Sequence, residues 1–393
     1  MDTAAKERDK SRMRFLVVDD MIGMRRTIRS MLRQLGYENV SDADDGVNAW
    51  RKLVAERFDV AIVDWNMPNM NGITLLKKTR QEERLADIPF IMVTAEVDEA
   101  TIAEAAETEV DAYIIKPFVA KVLEEKIEKV LEKKKNPSPI DTLLRLAYVY
   151  TNAGQYNKAT SELKTAFIIQ PNSPRVFTAF GDLYRQRGML DDAEKAYTKT
   201  LLIEPKFMKA HDGLADVLMK KGDANRLIAA MKEAVAVSPK NASRQVMLGK
   251  VLLEKGMTGE AEKAFKYAVI AEPHNSAAQM EIGEILLGKD MDQEAAEYFA
   301  KVSKINPEDV HVYNRLGIAF RKQGKFMEAI DEYKKALLVD PQDENLYYNM
   351  GRACLEAALR EEAVVSFRKA LECNPDFSEA VQILREIETK HPG

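Results

Sequence analysis

Cysteine is nearly absent from the chain, with two in 393 residues. Two thiols cannot build a disulfide framework, so a reducing, cytoplasmic setting is the expectation. Histidine is almost as scarce, and His211, His274, His311 and His391 lie too far apart for metal-ligand spacing. No apolar run reaches 18 residues, and the polar stretch 1–13 has no apolar centre. Neither membrane insertion nor a signal peptide is therefore expected. A basic excess is also missing: the net charge is −5. That argues against nucleic-acid binding, since no surplus cations exist to neutralise phosphates. No glycine-rich phosphate loop follows a strand run, and no Ser or Cys sits in a triad setting.

What is present divides the chain in two. Up to residue 135, short β-rich runs alternate with amphipathic stretches. The runs are 15–20, 60–65, 90–94 and 112–115, with a weaker one near Val40. The helical stretches are 25–35, 47–56, 72–84, 101–108 and 119–135. Strands alternating with helices imply βαβ units and a parallel sheet. The expected fold is a small α/β doubly wound domain, a five-stranded flavodoxin-like (βα)5 unit. Asn136-Pro-Ser-Pro139 cannot continue a helix and marks a linker over 136–139.

Beyond it the chain repeats. Prolines stand at 137, 171, 205, 239, 273, 307, 341 and 375, every interval being 34 residues. Counting from Ile140, position 8 is always Gly or Ala, and position 20 is Ala in all units but the third, which has Leu227. Position 24 is bulky: Leu163, Tyr197, Met231, Phe265, Phe299, Tyr333 and Phe367. Small residues let two helices approach, and the bulky one fills the gap between repeats. This pattern resembles the tetratricopeptide repeat, with seven units over 140–377 and a capping helix in 378–393. Two features depart from it. The aromatic of position 4 is Leu143, His211, Gln245 and Gln279 in four units, and the turn glycine of position 15 becomes Asp290 and Ala358 in two. An all-α solenoid is expected, with a groove lined by the first helix of each unit. Arg175, Asp182, Arg185, Lys209, Asn314, Arg321 and Arg352 are the groove candidates.

In the first region the carboxylates gather at strand ends. Asp19 and Asp20 end the first run and Asp64 the third. Ligands of open α/β sheets bind beyond the carboxyl ends of the strands. Three neighbouring carboxylates repel unless a cation joins them, and an all-oxygen set suits Mg²⁺. Thr94 and Lys116 end the fourth and fifth runs, completing a constellation suited to phosphoryl transfer.

Residues 14–131 resemble the receiver domain of two-component response regulators, of the chemotaxis CheY type. The resemblance rests on Asp64-Trp-Asn-Met-Pro-Asn-Met-Asn-Gly72, Met24-Arg-Arg26, Met92-Val-Thr-Ala-Glu96 and Lys116-Pro-Phe118. It implies that Asp64 accepts a phosphoryl group from a histidine kinase. It implies Mg²⁺ held by Asp20, Asp64 and the carbonyl of Asn66, with Asp19 helping directly or through water. Lys116 and Thr94 would contact the phosphoryl group, with the small Ala95 leaving it accessible. Tyr113 would turn inward with Thr94 as a switch. The whole reads as a phosphoacceptor signalling protein rather than an enzyme, with output through a protein or peptide bound by the repeats, in a chemotaxis or motility setting. The alternatives are a repeat scaffold whose receiver only docks, and a phosphate sink in a phosphorelay.

Overall fold

The computed structural model describes residues 10–82, 84–95 and 110–390. The helix expected over 101–108, and Glu96 of the motif Met92–Glu96, lie outside them. By internal contacts the chain forms two compact units, 1–244 and 245–393.

The first unit opens with a sheet. Its strands are β1 (Arg14–Val18), β2 (Asn39–Ala43), β3 (Val60–Asp64), β4 (Phe90–Thr94) and β5 (Ala112–Ile115), in the order β2-β1-β3-β4-β5. All four pairings are parallel. Among the described residues, helices α1 (Ile22–Gln34), α2 (Gly46–Ala55), α3 (Gly72–Gln81) and α4 (Ala120–Lys135) accompany the sheet. One core layer packs Phe15, Val17, Ile62 and Ile91 against Ile28, Leu32 and Ile127. The other packs Leu16, Val18, Val63 and Met92 against Leu53 and Leu76. The central strands are thus covered on both faces, which accounts for their nearly unbroken apolar runs.

The boundaries differ from the sequence reading in one instructive place. The first strand was expected to run through Asp20, but it stops at Val18. There the Asp19 carboxylate accepts the Met21 N–H at 2.9 Å and turns the chain out of the sheet. Helix α1 consequently starts at Ile22, a turn earlier than its apolar period suggests.

Helical pairs follow α4. In the first unit these are α5 (Pro139–Asn152) with α6 (Tyr156–Ile169), α7 (Pro174–Gln186) with α8 (Leu190–Ile203), and α9 (Met208–Lys220) with α10 (Ala224–Val237). Helix α11 (Ala242–Glu254) starts at the unit boundary. The second unit continues with α12 (Thr258–Ala271), α13 (Ser276–Leu287), α14 (Asp292–Ile305), α15 (Val310–Lys322), α16 (Phe326–Val339), α17 (Glu344–Glu356) and α18 (Arg360–Cys373). Helix α19 (Ser378–Lys390) closes it, burying Ala380 and Leu384 in the cluster around Tyr333 and Phe367.

Small-against-bulky packing holds each pair together. A Cβ added to Gly181 would come 2.6 Å from the Tyr197 ring, and one on Gly351 would come 2.8 Å from Phe367. The two departures from the repeat pattern have physical explanations. His211 Nε2 lies 2.8 Å from the Pro205 carbonyl, and Gln279 Nε2 donates to that of Pro273 at 2.8 Å. Tyr313 and Tyr347 donate to Pro307 and Pro341 at 3.0 and 3.3 Å. In these four units position 4 reaches the proline carbonyl six residues back, and a tyrosine ring is one way to carry the donor; Leu143 and Phe177 at the same position have none. At position 15, Asp290 (φ 56°) and Ala358 (φ 61°) adopt the same left-handed backbone as Gly154 and Gly324. The turn is kept, and the side chains sit in a conformation that disfavours a Cβ.

Replacing Ala358 with glycine should therefore raise stability by about 0.5–1 kcal/mol, net of the extra chain entropy. Asp290→Gly should gain less, because it also removes a 2.7 Å ion pair with Lys322. Urea denaturation of the two variants checks the order; equal gains would contradict it.

Candidate functional site at the sheet edge

The site lies where β1, β3, β4 and β5 end, and main-chain hydrogen bonds fix each contributor. Asp19 N donates to the Ala43 carbonyl at 3.3 Å, Trp65 N to Val93 at 2.9 Å, and Lys116 N to Thr94 at 2.8 Å. Gly72 N donates to the Trp65 carbonyl at 3.0 Å, folding the loop after Asp64 back over its own strand. No side chain fits at Gly72, where a Cβ would strike the Asp64 carbonyl and the Met92 side chain. The far end of that loop is held by Asn69, in a left-handed conformation (φ 64°), which donates to the Asp45 carboxylate at 2.8 Å.

Carboxylate oxygens of Asp19, Asp20 and Asp64 all lie within 4.8 Å of one another. Asp19 and Asp64 are buried and Asp20 is exposed, so the cluster opens to solvent on one side. The Lys116 ammonium reaches over it, donating to Asp19 Oδ2 at 2.9 Å and to Asp64 Oδ1 at 2.7 Å. Three carboxylates and one ammonium leave a surplus of negative charge on hard oxygen donors, which fits a divalent cation such as Mg²⁺. Burial holds the Asp64 carboxyl above its ordinary value of 3.8; Lys116 works against that rise, while Asp19 and Asp20 add to it. Burial alone would lower the Lys116 ammonium, but its bonds to Asp64 and Asp19 outweigh burial and raise it.

The other expected residues are placed as follows. Thr94 is buried at the end of β4, Ala95 beyond it is exposed, and Asn66 is exposed in the loop after β3. Tyr113 is 44% exposed on the edge strand β5, with Lys126 Nζ 5.4 Å from its ring centroid. The groove candidates are not free charges. Arg175 pairs with Asp141 at 2.7 Å, and Arg185 with Asp216 at 2.6 Å. Asp182 accepts from the Tyr197 hydroxyl at 2.7 Å and lies 3.9 Å from Lys209. Arg321 and Arg352 share Glu356, at 2.9 and 3.7 Å, and Asn314 accepts from Asn349 at 3.0 Å. Sequence reasoning missed the residues that hold the site from behind. Arg25 and Asn69 were parts of motifs without a role, and Asp42 and Asp45 carried no signal. The one available hint was an arginine about a helical turn and a half after an acidic pair.

The raised Asp64 carboxyl has a stability consequence. Unfolded Asp64 ionises near 3.8, so its contribution to stability falls as pH rises from there through its higher folded value. Asp64→Asn should thus melt a few degrees above wild type at pH 7 without divalent ions, the gap closing towards pH 4. Calorimetry at both pH values reads this; a variant that melts lower at pH 7 contradicts it.

Comparison with known proteins agrees with this architecture. The response regulator receiver domain family matches residues 15–128. The TPR domain of cytochrome c-type biogenesis protein H matches 222–346, and a tetratricopeptide repeat family matches 320–387. The chemotaxis protein CheY of Pseudomonas aeruginosa is 50% identical over 121 residues, 31% of this chain and 98% of that protein. CheY-3 of Vibrio cholerae is 46% identical over 121 residues, 31% of this chain and 93% of that protein. Among solved structures, the TPR protein YrrB, described as having an unusual peptide-binding site, is 22% identical with a TM-score of 0.38. That likeness covers 49% of this chain and 99% of YrrB. Matches of this extent over the sheet region establish membership: the chain belongs to the response regulator receiver family, as a CheY-like receiver followed by tetratricopeptide repeats.

Proposed function

We propose that the chain is a response regulator phosphorylated on Asp64 by a histidine kinase, with output through protein binding by its repeats. The observation that carries this reading is the convergence of three carboxylates and Lys116 at one sheet edge. An Asp64 oxygen attacks phosphorus as the phosphorus–nitrogen bond of the donor phosphohistidine breaks, and the imidazole leaves with a proton. Mg²⁺, held by Asp19, Asp20, Asp64 and the Asn66 carbonyl, would neutralise charge on the transferring group. Lys116, released from Asp64, pairs with a phosphoryl oxygen. Thr94 donates its hydroxyl to another, while exposed Ala95 leaves the approach open. Tyr113, half exposed on the edge strand, would follow Thr94 inward as the switch. The proposed parts are a receiver over 14–135, a linker over 136–139, seven repeats over 140–377 and a cap beyond. The repeats would bind a protein or peptide partner, in chemotaxis or motility signalling carried out in the cytoplasm.

Wild type incubated with acetyl phosphate and Mg²⁺ should acquire an acid-stable, base-labile phosphoryl group. Asp64→Asn should acquire none, EDTA should abolish labelling, and Lys116→Ala should slow it at least tenfold. Labelling of Asp64→Asn at the wild-type rate would sink the assignment. A pull-down with beryllofluoride-treated wild type beside Asp64→Ala tests the output. Identical partner recovery from both would favour a scaffold with a docking receiver instead.

A further inference from the structure

The acidic pair is held from behind by a group that never touches its carboxylates. Arg25 Nη1 donates to the main-chain carbonyl of Asp19 at 2.7 Å and to that of Asp20 at 3.2 Å. Its Nε donates to Asp42 Oδ2, on β2, at 3.1 Å. The Arg25 side chain is 13% exposed. Asp42 is itself fixed on two sides: its carboxylate also takes Arg29, and its carbonyl accepts from Lys52 at 2.7 Å. A continuous path of hydrogen bonds therefore runs from α2 through β2 and Arg25 to the loop that presents both acidic side chains.

We infer that Arg25 is the positioning residue of the acidic pair, setting the divalent-cation affinity of the site through the loop backbone. The inference rests on the reading of Asp19, Asp20 and Asp64 as the cation site. Consecutive carboxylates directed at one point repel, and a loop free to relax would let them diverge. Lys116 opposes this only by occupying one oxygen each of Asp19 and Asp64. Arg25 opposes it from the carbonyl side, so its positive charge and its two bonds survive cation binding. Planar guanidinium geometry is required, since one group must serve two successive carbonyls and a carboxylate at once; a lysine ammonium has the charge without that fork. Arg29 is the internal control. It binds the same Asp42 carboxylate, and no hydrogen bond places it on the acidic loop.

The test titrates Mg²⁺ alone into the full-length chain, followed by fluorescence of Trp65, which adjoins Asp64 and is buried. Arg25→Ala should weaken Mg²⁺ binding about tenfold and Arg25→Lys several-fold, while Arg29→Ala stays within twofold of wild type. Phosphorylation by acetyl phosphate in Arg25→Ala should fall at sub-saturating Mg²⁺ and return to within twofold of wild type at saturation. A general loss of structure would not recover in that way. If Arg25→Ala does not fold, the Arg25→Lys titration decides. Mg²⁺ affinity within twofold of wild type in the folded variants overturns the inference, as does an equal loss in Arg29→Ala. Absence of any Mg²⁺ response in wild type overturns the reading of the site, and this inference with it.

Discussion

Like charges forced together at the end of a sheet are the constraint around which the first part of this molecule is arranged. Asp19, Asp20 and Asp64 crowd within 4.8 Å, and two of them are buried. Every nearby feature can be read as an answer to that repulsion. Lys116 neutralises part of it through the carboxylates. Arg25 neutralises part through the carbonyls and ties the loop to β2. Strand-end main-chain bonds to Ala43, Val93 and Thr94 keep the contributing backbones from drifting apart. The lack of a side chain at Gly72 lets the next loop close over Asp64. What remains is an incompletely neutralised set of hard oxygen donors open to solvent at Asp20, and that residual charge is the chemical capacity of the site.

The helical pairs answer a different constraint, that of close approach. A helix with glycine or alanine at position 8 can approach its neighbour only if a bulky side chain fills the adjoining space. Tyr197, Phe265, Phe299, Tyr333 and Phe367, all nearly inaccessible, do so. In four units the carbonyl of the preceding proline is met from position 4, by His211, Gln279, Tyr313 and Tyr347, three different side chains at one place. What these four share is a hydrogen-bonding group at a given place, with side-chain shape secondary. A pattern written in terms of aromatic residues misses that, and His211 and Gln279 consequently read as irregularities.

Much of the architecture was legible in advance because it depends on periodicities. Strand runs, the 34-residue proline spacing and the small and bulky positions each recur, and the structure has a helical pair where each repeat was counted. The acidic cluster was legible because strand ends of a parallel sheet converge by topology. What could not be read was anything decided by one contact between distant segments. The early end of β1 depends on where the Asp19 carboxylate turns, and the hold on the acidic loop on Arg25 meeting Asp42. Nor could the sequence tell that charges of the first helices pair with one another, since Arg185 and Asp216 stand 31 residues apart and Arg321 and Glu356 stand 35 apart.

That mutual pairing affects how any partner would reach the repeats. Potential far from a surface is the sum of its charges, and neighbouring opposite charges cancel within a few ångströms. Arg175 with Asp141 and Arg185 with Asp216 project little field into solvent, whereas Arg321 and Arg352 share the single carboxylate of Glu356 and keep a net positive charge. The two balanced pairs would then add little long-range guidance, and discrimination there would fall on the exchange made after touching, when an incoming group takes over one member of a pair and must also provide for the other.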